Sequence, residues 1–418
     1  MAIVAIWTKK DCVALRFAYG MKQAAFARAL GAAERSVRRW EKGETPIGGL
    51  GQVSYSTMLA KAPADVTARF EQLWGNEDDV KRRQLFKAGA FGAGALATLG
   101  LGSETADRAA WLASGAGRPD PTAVALVRAT LHQAMQLDDL LGSPAAQGIV
   151  IAQQQVTAAM LSNCPPGLRP EVLSLYAEWT GLGGSLAWDA RDHATSARLY
   201  TEARENAHEA EDSDLGSYML CHLSQLATWQ RRPRVAVDYA VAARSWVSQS
   251  QDRHLRAYVA IRNAEALALA NQRSPCLAAL EEAQTALAGL QPCHPSQSRA
   301  YFMGEGIMHS YRGNCLAVQG DARPAAEASR QALATMPATY TRDRAVTLLE
   351  LERALIQLDE IEEAADVVAY AAELTDQNRS PRLAAAIIDG RHQLSPWADS
   401  RSVRELDQRL DARDIVVG

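Results

Sequence analysis

The sequence predicts an all-α protein in two parts: a small basic head of short helices and a longer acidic body of helix pairs. Three observations carry that expectation. Ala and Leu dominate the 418 residues, aromatic residues are 6% and runs of β-branched residues are nearly absent, a composition that helices accept at least cost. Charge divides the chain. Residues 1–87 hold 15 Lys and Arg against 9 acids, a net of +6, whereas 88–418 hold 29 Arg, no Lys and 39 acids, a net of −10. From about residue 170, small residues recur with a period near 40. A basic head on an acidic body points to a polyanionic partner for the head alone. At this length the chain has room for two or three domains.

The head is expected over 1–79. In residues 10–47, Val13, Phe17, Phe26, Leu30, Val37 and Trp40 recur at spacings of three and four, the apolar stripe of short amphipathic helices. Gly20 and Gly31 interrupt the pattern where helices must turn, and Gly43 and Pro46 close the third helix. A further stripe, Met58, Leu59, Val66, Phe70 and Leu73, predicts a fourth and fifth helix before the acidic run at 76–79.

The segment QAAFARALGAAERSVRRWEKG resembles the helix-turn-helix of lambda-repressor-like (XRE-type) regulators. Gln23, Ala27, Leu30, Gly31, Val37, Trp40, Glu41 and Gly43 match that pattern at the family's spacing. Small Ala27 suits a helix contact and Gly31 a tight turn. The resemblance implies that the second helix of the pair enters the DNA major groove. Ala33, Glu34, Arg35 and Arg39 would then face bases, with Gln23, Ser36, Arg38 and Lys42 toward phosphates. It also implies a buried ion pair between Arg16 and Glu41. Lys22 and Ala33 depart from the family, standing where Ser or Thr caps the helix; such a cap is worth about 1 kcal/mol.

The body is expected over 119–418 as a TPR-like α-solenoid. In HSYRGNCLAVQGDARPAAEASRQALATMP, Gly313, Leu316, Gly320, Ala325, Ala332 and Pro337 fall at the small, large, turn, small, small and Pro positions of a tetratricopeptide repeat. Weaker copies are Gly184 with Ser196, Tyr200 and Ala203; Leu223 with Val235, Tyr239 and Ala242; Ala264 with Cys276, Leu280 and Ala283; and Ala364 with Val368 and Ala371. The long step between the third and fourth copies absorbs the loop QPCHPSQS. Residues 119–168 are expected to add one or two capping helix pairs. The best unit's register puts Ser185, Ser224, Glu265, Asn314 and Arg353 on the concave face, a row that would hold a peptide, small-molecule or protein ligand.

The chain carries no phosphate-binding GxxxxGK[ST], no HExxH and no GxSxG, and it is read as a non-enzyme without cofactor. Its six cysteines show no metal-ligand spacing and are expected to be buried thiols of a reducing compartment. The stretch KRRQLFKAGAFGAGALATLGLG at 81–102 mimics a twin-arginine export signal, but its apolar run holds five glycines and falls short of the ~20 residues of a membrane span. It is read as a connector within 80–118, basic at its start and Ala/Gly-rich beyond.

Head, connector and degenerate repeats together resemble actinobacterial transcriptional regulators of development and secondary metabolism. That resemblance implies a cytoplasmic homodimer on double-stranded DNA, with recognition helices about 34 Å apart. A DNA-binding scaffold of plasmid or phage type, whose repeats recruit a partner protein, is the alternative; an exported enzyme is the third reading.

Overall fold

Contacts divide the chain after Lys87 into two units, each described by itself. The computed structural model describes residues 9–43, 118–413 and 415, together with 45, 47, 54–55, 57–59, 61–63, 66–67 and 69–70. The connector up to residue 117, Leu73 and the acidic run lie outside them.

The head opens with α1 (Lys9–Ala18), α2 (Gln23–Leu30) and α3 (Glu34–Lys42). Gly31 and Gly43 take left-handed φ of 72° and 74°, and their N–H groups return to carbonyls of the last turn, ending α2 and α3. Neither Lys22 nor Ala33 makes a side-chain cap. Phe26, Ala27, Leu30 and Val37 form the core with Leu59, Val66 and Phe70, so the second predicted stripe does cover the first. The register of α1 differs from the expectation. Cys12, Leu15 and Ala18 point inward, Val13 is half-buried and Phe17 is 58% exposed. The 13–17 spacing and the 11–12–15–18 face are both helical, and aromatic character at Phe17 disguised the latter. Phe17 instead lies under the Arg16 guanidinium, 4.6 Å from its centroid.

The body is built from α4 (Pro121–Leu141), α5 (Ser143–Ser162), α6 (Arg169–Asp189), α7 (His193–Glu209), α8 (Ser213–Trp229), α9 (Pro233–Val247), α10 (Arg253–Leu269), α11 (Arg273–Leu287), α12 (Glu305–Val318), α13 (Ala322–Thr335), α14 (Thr341–Gln357), α15 (Ile361–Leu374), α16 (Pro381–Gln393) and α17 (Arg401–Asp411). Five antiparallel hairpins, α6/α7 to α14/α15, stack so that inner helices pack on inner helices. The pair α4/α5 precedes them, and α16 and α17 extend the inner and outer rows by packing on α14 and α15. This is a TPR-like α-solenoid, and the fold is all-α.

The hairpins share one turn. Arg191, Arg231, Asn271, Gly320 and Asp359 all have φ between 55° and 83°. The residue after each donates its N–H to the carbonyl five positions back, at 2.8 to 2.9 Å, the Schellman closure of a helix end. Gly, Asn and Asp tolerate this conformation, whereas Arg191 and Arg231 hold it against a cost of about 1 kcal/mol. Their spacings of 40, 40, 49 and 39 give the true repeat register.

Small residues then close each hairpin. Ser196, Tyr200 and Ala203, then Cys276, Leu280 and Ala283, then Ala364, Val368 and Ala371 are almost wholly buried, as expected. In the second repeat the buried set is Ala236, Ala240 and Ala243 rather than Val235, Tyr239 and Ala242. The larger apolar residues drew the register one position early, although the alanines match the period of 40. Gly313 shows why small residues are needed: a Cβ there would sit 2.4 Å from Ser329 Oγ and 3.2 Å from the Ala325 carbonyl. GLGG at 181–184 likewise lies inside α6, with Gly184 against the Tyr200 ring. No described helix is long and apolar enough to cross a membrane, and all six cysteines are free, four of them buried.

Candidate functional site

Two surfaces gather the expected functional residues. The first is α3. Val37 and Glu41 turn inward, while Glu34, Arg35, Arg38, Arg39 and Lys42 are exposed, with Ser36 half-buried and Ala33 exposed just ahead of them. Arg35 and Arg39 make no ion pair with a described residue. Arg38 pairs with Glu34 across one turn at 3.3 Å with both side chains about half exposed, a contact worth little.

Behind this face lies a buried brace. Arg16 Nε donates to Glu41 Oε1 at 2.6 Å, with side-chain exposures of 14% and 4%, so the expected ion pair is present. Gln23 Nε2 donates to Glu41 Oε2 at 2.6 Å, and Arg16 also donates to the Met21 carbonyl at 3.1 Å. One carboxylate therefore ties α1, the start of α2 and α3 together. The Gln23 amide is thus turned toward this brace.

The second surface is the hollow of the solenoid, a cavity of about 510 Å³ lined by the inner helices α6, α8, α10, α12, α14 and α16. Ser185, Glu265, Asn314 and Arg353 all line it. Ser224 does not. Its hydroxyl is fully buried and donates to the Ala236 carbonyl at 2.8 Å, inside its own hairpin. The same one-residue slip explains this, and Gln225 takes the lining position instead. The corrected row, Ser185, Gln225, Glu265, Asn314 and Arg353, follows the spacings of the turns. Three of its members are linked: Arg353 Nη1 donates to Asn314 Oδ1 at 3.1 Å, and Asn314 Nδ2 donates to Glu265 Oε1 at 3.3 Å. Glu265 is also paired with Arg262, a wholly buried guanidinium that lies over the rings of Tyr258 and Tyr311.

Residues remote in sequence close the hollow. The 288–304 segment, the insertion that lengthens one repeat, carries Arg299 and Tyr301 across it. Arg299 Nε donates to Glu178 at 2.8 Å and Nη2 to Asp212 at 2.7 Å, while the Tyr301 hydroxyl donates to Asp139. Arg342 on α14 reaches Asp138 at 3.1 Å and Asp139 at 3.3 Å on α4. Asn378 donates to the Asp139 carbonyl at 2.9 Å, and Ser380 donates to Asp189 at 2.5 Å. The opening helices α4 and α6 thus meet α14 and the start of α16. No repeat pattern marks Arg299, Tyr301 or Arg342, because their partners lie 87 to 204 positions away.

The lining is aromatic and polar by turns. His222 stacks on Tyr200 with centroids 4.8 Å apart and meets Tyr218 edge-on at 4.6 Å. Desolvation, with help from Arg262, pushes this histidine down to about 3, so it is neutral at neutral pH. Trp188 and Trp229 meet edge-on at 5.7 Å, and the Arg382 guanidinium lies 3.9 Å from the Trp188 centroid. Burial pushes Glu350 up to about 8, against the opposing pull of Ser310 and Arg353, and pushes Glu352 up to about 8 as well, with Arg353 opposing. Among the described residues no group of His, Cys, Asp and Glu is arranged to hold a metal ion.

No family model matches the chain, and no curated protein does. Among solved structures, the chain is similar to a Rap protein crystallised in complex with competence and sporulation factor. That similarity covers 81% of this chain and 87% of the other, at 15% identity and a TM-score of 0.49.

Proposed function

We propose that this protein is a sequence-specific DNA-binding transcriptional regulator whose solenoid dimerises and answers to a ligand in its hollow. The observation that carries the reading is the division of α3. Five charged side chains are exposed on it while Val37 and Glu41 anchor it from behind. Such an anchored helix, following α2 by a tight glycine turn, can enter a major groove with its first turn at the base edges. Arg35 and Arg39 are the base readers in this reading, suited to guanine O6 and N7. Ser36, Arg38, Lys42 and the start of α2 hold phosphates, and the net +6 of the first 87 residues adds attraction without sequence preference. The protein acts in the cytoplasm, where DNA is, and does so without catalysis or cofactor.

A hollow of about 510 Å³ is of the size that encloses small ligands or part of a peptide, which favours a ligand-answering solenoid over a bare recruitment scaffold. Fluorescence anisotropy of the full chain on DNA fragments tests the DNA-binding step. Affinity falls steeply with salt, and Arg39→Ala loses ~5- to 150-fold on the preferred sequence, the worth of one bidentate base contact at about 1–3 kcal/mol, with little change on random DNA. Equal loss on every sequence would remove Arg39 as a reader.

A further inference from the structure

The hollow holds more acid than its arginines can answer. Asp138, Asp139, Glu178, Asp189 and Glu265 each meet a guanidinium within 4 Å. On α14 and α16 the balance fails: Asp343, Glu350, Glu352 and Asp389 line the cavity with no ion pair to a described residue. Arg342 and Arg382 of the same helices are taken up by Asp138, Asp139 and Asp189, and Arg353 alone of the three has no carboxylate partner among the described residues. Glu350 is 8% exposed and has one hydrogen-bond donor, the Ser310 hydroxyl at 2.8 Å. Glu352 is wholly buried, and neither of its carboxylate oxygens has a partner.

Glu352 also stands where a repeat wants a small residue. Its counterparts in the other hairpins are Gly184, Ser224, Ala264 and Gly313, by the same register that the turns define. A carboxylate here must be accommodated by its surroundings, and it sits against Gly390 of α16, where even a Cβ would approach Glu352 Oε2 to 2.8 Å. A hairpin closes better with alanine at this position. A buried carboxyl without a partner costs several kcal/mol to ionise, so stability alone gives no reason for it.

We propose that the hollow binds its ligand through a positively charged amine or guanidinium group seated against Glu350 and Glu352. This rests on the ligand-answering reading above and names the chemistry of that ligand. The incoming cation supplies the ion pairs that the wall lacks, and the Arg353–Asn314–Glu265 chain beside it offers donors and acceptors for the ligand's neutral polar groups. Selectivity follows from the same chemistry: a cation gains an ion pair when Glu350 and Glu352 ionise, whereas an anionic ligand meets repulsion from the same two groups.

The charged groups facing the two carboxyls are Arg353 on their own helix and Arg262 and Glu265 on α10. Only the ionised carboxylates attract a cation, and burial holds both groups near 8 in the free protein. Affinity for a cation therefore climbs as pH rises from 6 to 9 and protons leave on binding.

The test is titration of the full chain, read by the fluorescence of Trp188 and Trp229, which line the same hollow. The probes are acetylated, amidated pentapeptide pools with a central Arg, citrulline or Glu, and separately agmatine and spermidine. The Arg pool or an amine binds saturably, at least tenfold tighter than its neutral or anionic counterpart, and E350Q and E352Q each weaken it at least tenfold. Binding of the peptide pool alone assigns a peptide source for the cation, and binding of the free amines alone a small-molecule source. E352Q also melts higher than the parent at pH 9, which a variant that merely misfolds would not do. Equal binding of citrulline and Arg, preference for the Glu pool, binding indifferent to both variants, or no binding of any cationic probe overturns the proposal. Preference for the Glu pool with a change in DNA affinity would leave the ligand-answering reading standing. Arg-pool binding without a change in DNA affinity would remove that reading and leave this one.

Discussion

Removing the Glu41 carboxylate should melt the head and leave the body intact. In the folded head Glu41 accepts from Arg16 and from Gln23, both at 2.6 Å, with its own side chain 4% exposed. Glu41→Ala strands a guanidinium that is 14% exposed and an amide that loses its acceptor. Breaking a buried pair from one side costs about 3–5 kcal/mol. The remaining Arg16 bond to the Met21 carbonyl and partial access to water favour the lower end, about 3 kcal/mol. A unit the size of the first 87 residues has roughly 4–13 kcal/mol in all, so most of a marginal stability disappears. For a domain of this size about 3 kcal/mol lowers the melting temperature by roughly 12–24 °C. Differential scanning calorimetry of the full chain should show one transition moved by that amount and the body's transition unmoved. Glu41→Gln, which keeps an acceptor but not the charge, should fall between. A shift of only a few degrees, or both transitions moving together, would refute the brace as the head's keystone.

Gly313→Ala should destabilise the body by about 1–2 kcal/mol despite the gain in helix propensity, because its Cβ meets Ser329 Oγ at 2.4 Å. Adding Ser329→Ala should restore most of the loss, since that buried hydroxyl has no partner, and a double-mutant cycle in urea reads the coupling. Glu350 and Glu352 make stability depend on pH. Both keep a proton in the folded protein up to about 8 that the unfolded chain releases near 4.5. Stability is therefore full below 4.5 and is lost as pH rises toward 8. The ceiling is on the order of 5 kcal/mol per group, and E352Q should flatten the slope measured by urea unfolding from pH 5 to 9. Arg299→Ala should loosen the hollow, visible as faster amide exchange in the 288–304 segment with the hairpin cores unchanged.

The sequence revealed the hairpins because tight helix contacts demand small residues at fixed intervals, and Ala203, Ala283, Ala332 and Ala371 are all fully buried. It misled where a contact needed no large residue. Ala236, Ala240 and Ala243 carry the second hairpin, while Val235 and Tyr239 are more conspicuous and less buried. That slip of one residue moved Ser224 into the groove on paper and left Gln225 out. The turn positions with left-handed backbone would have corrected it, but four of the five are not glycine and carry no visible signature. Phe17 misled in the same way, drawing α1 toward a face that the structure exposes. The closure of the hollow by Arg299, Tyr301 and Arg342 was hidden for another reason. Their partners are set by the superhelix's curvature, which accumulates over many repeats and has no local motif.

The central claim is that α3 reads DNA sequence. Selection of the full chain against a random double-stranded pool, at two salt concentrations, tests it most directly. The account predicts enrichment of a guanine-containing half-site repeated about one helical turn away, affinity that falls steeply between the two salts, and loss of enrichment with Arg35→Ala and Arg39→Ala together. Failure to enrich any sequence, or enrichment that survives the loss of both arginines, would contradict it.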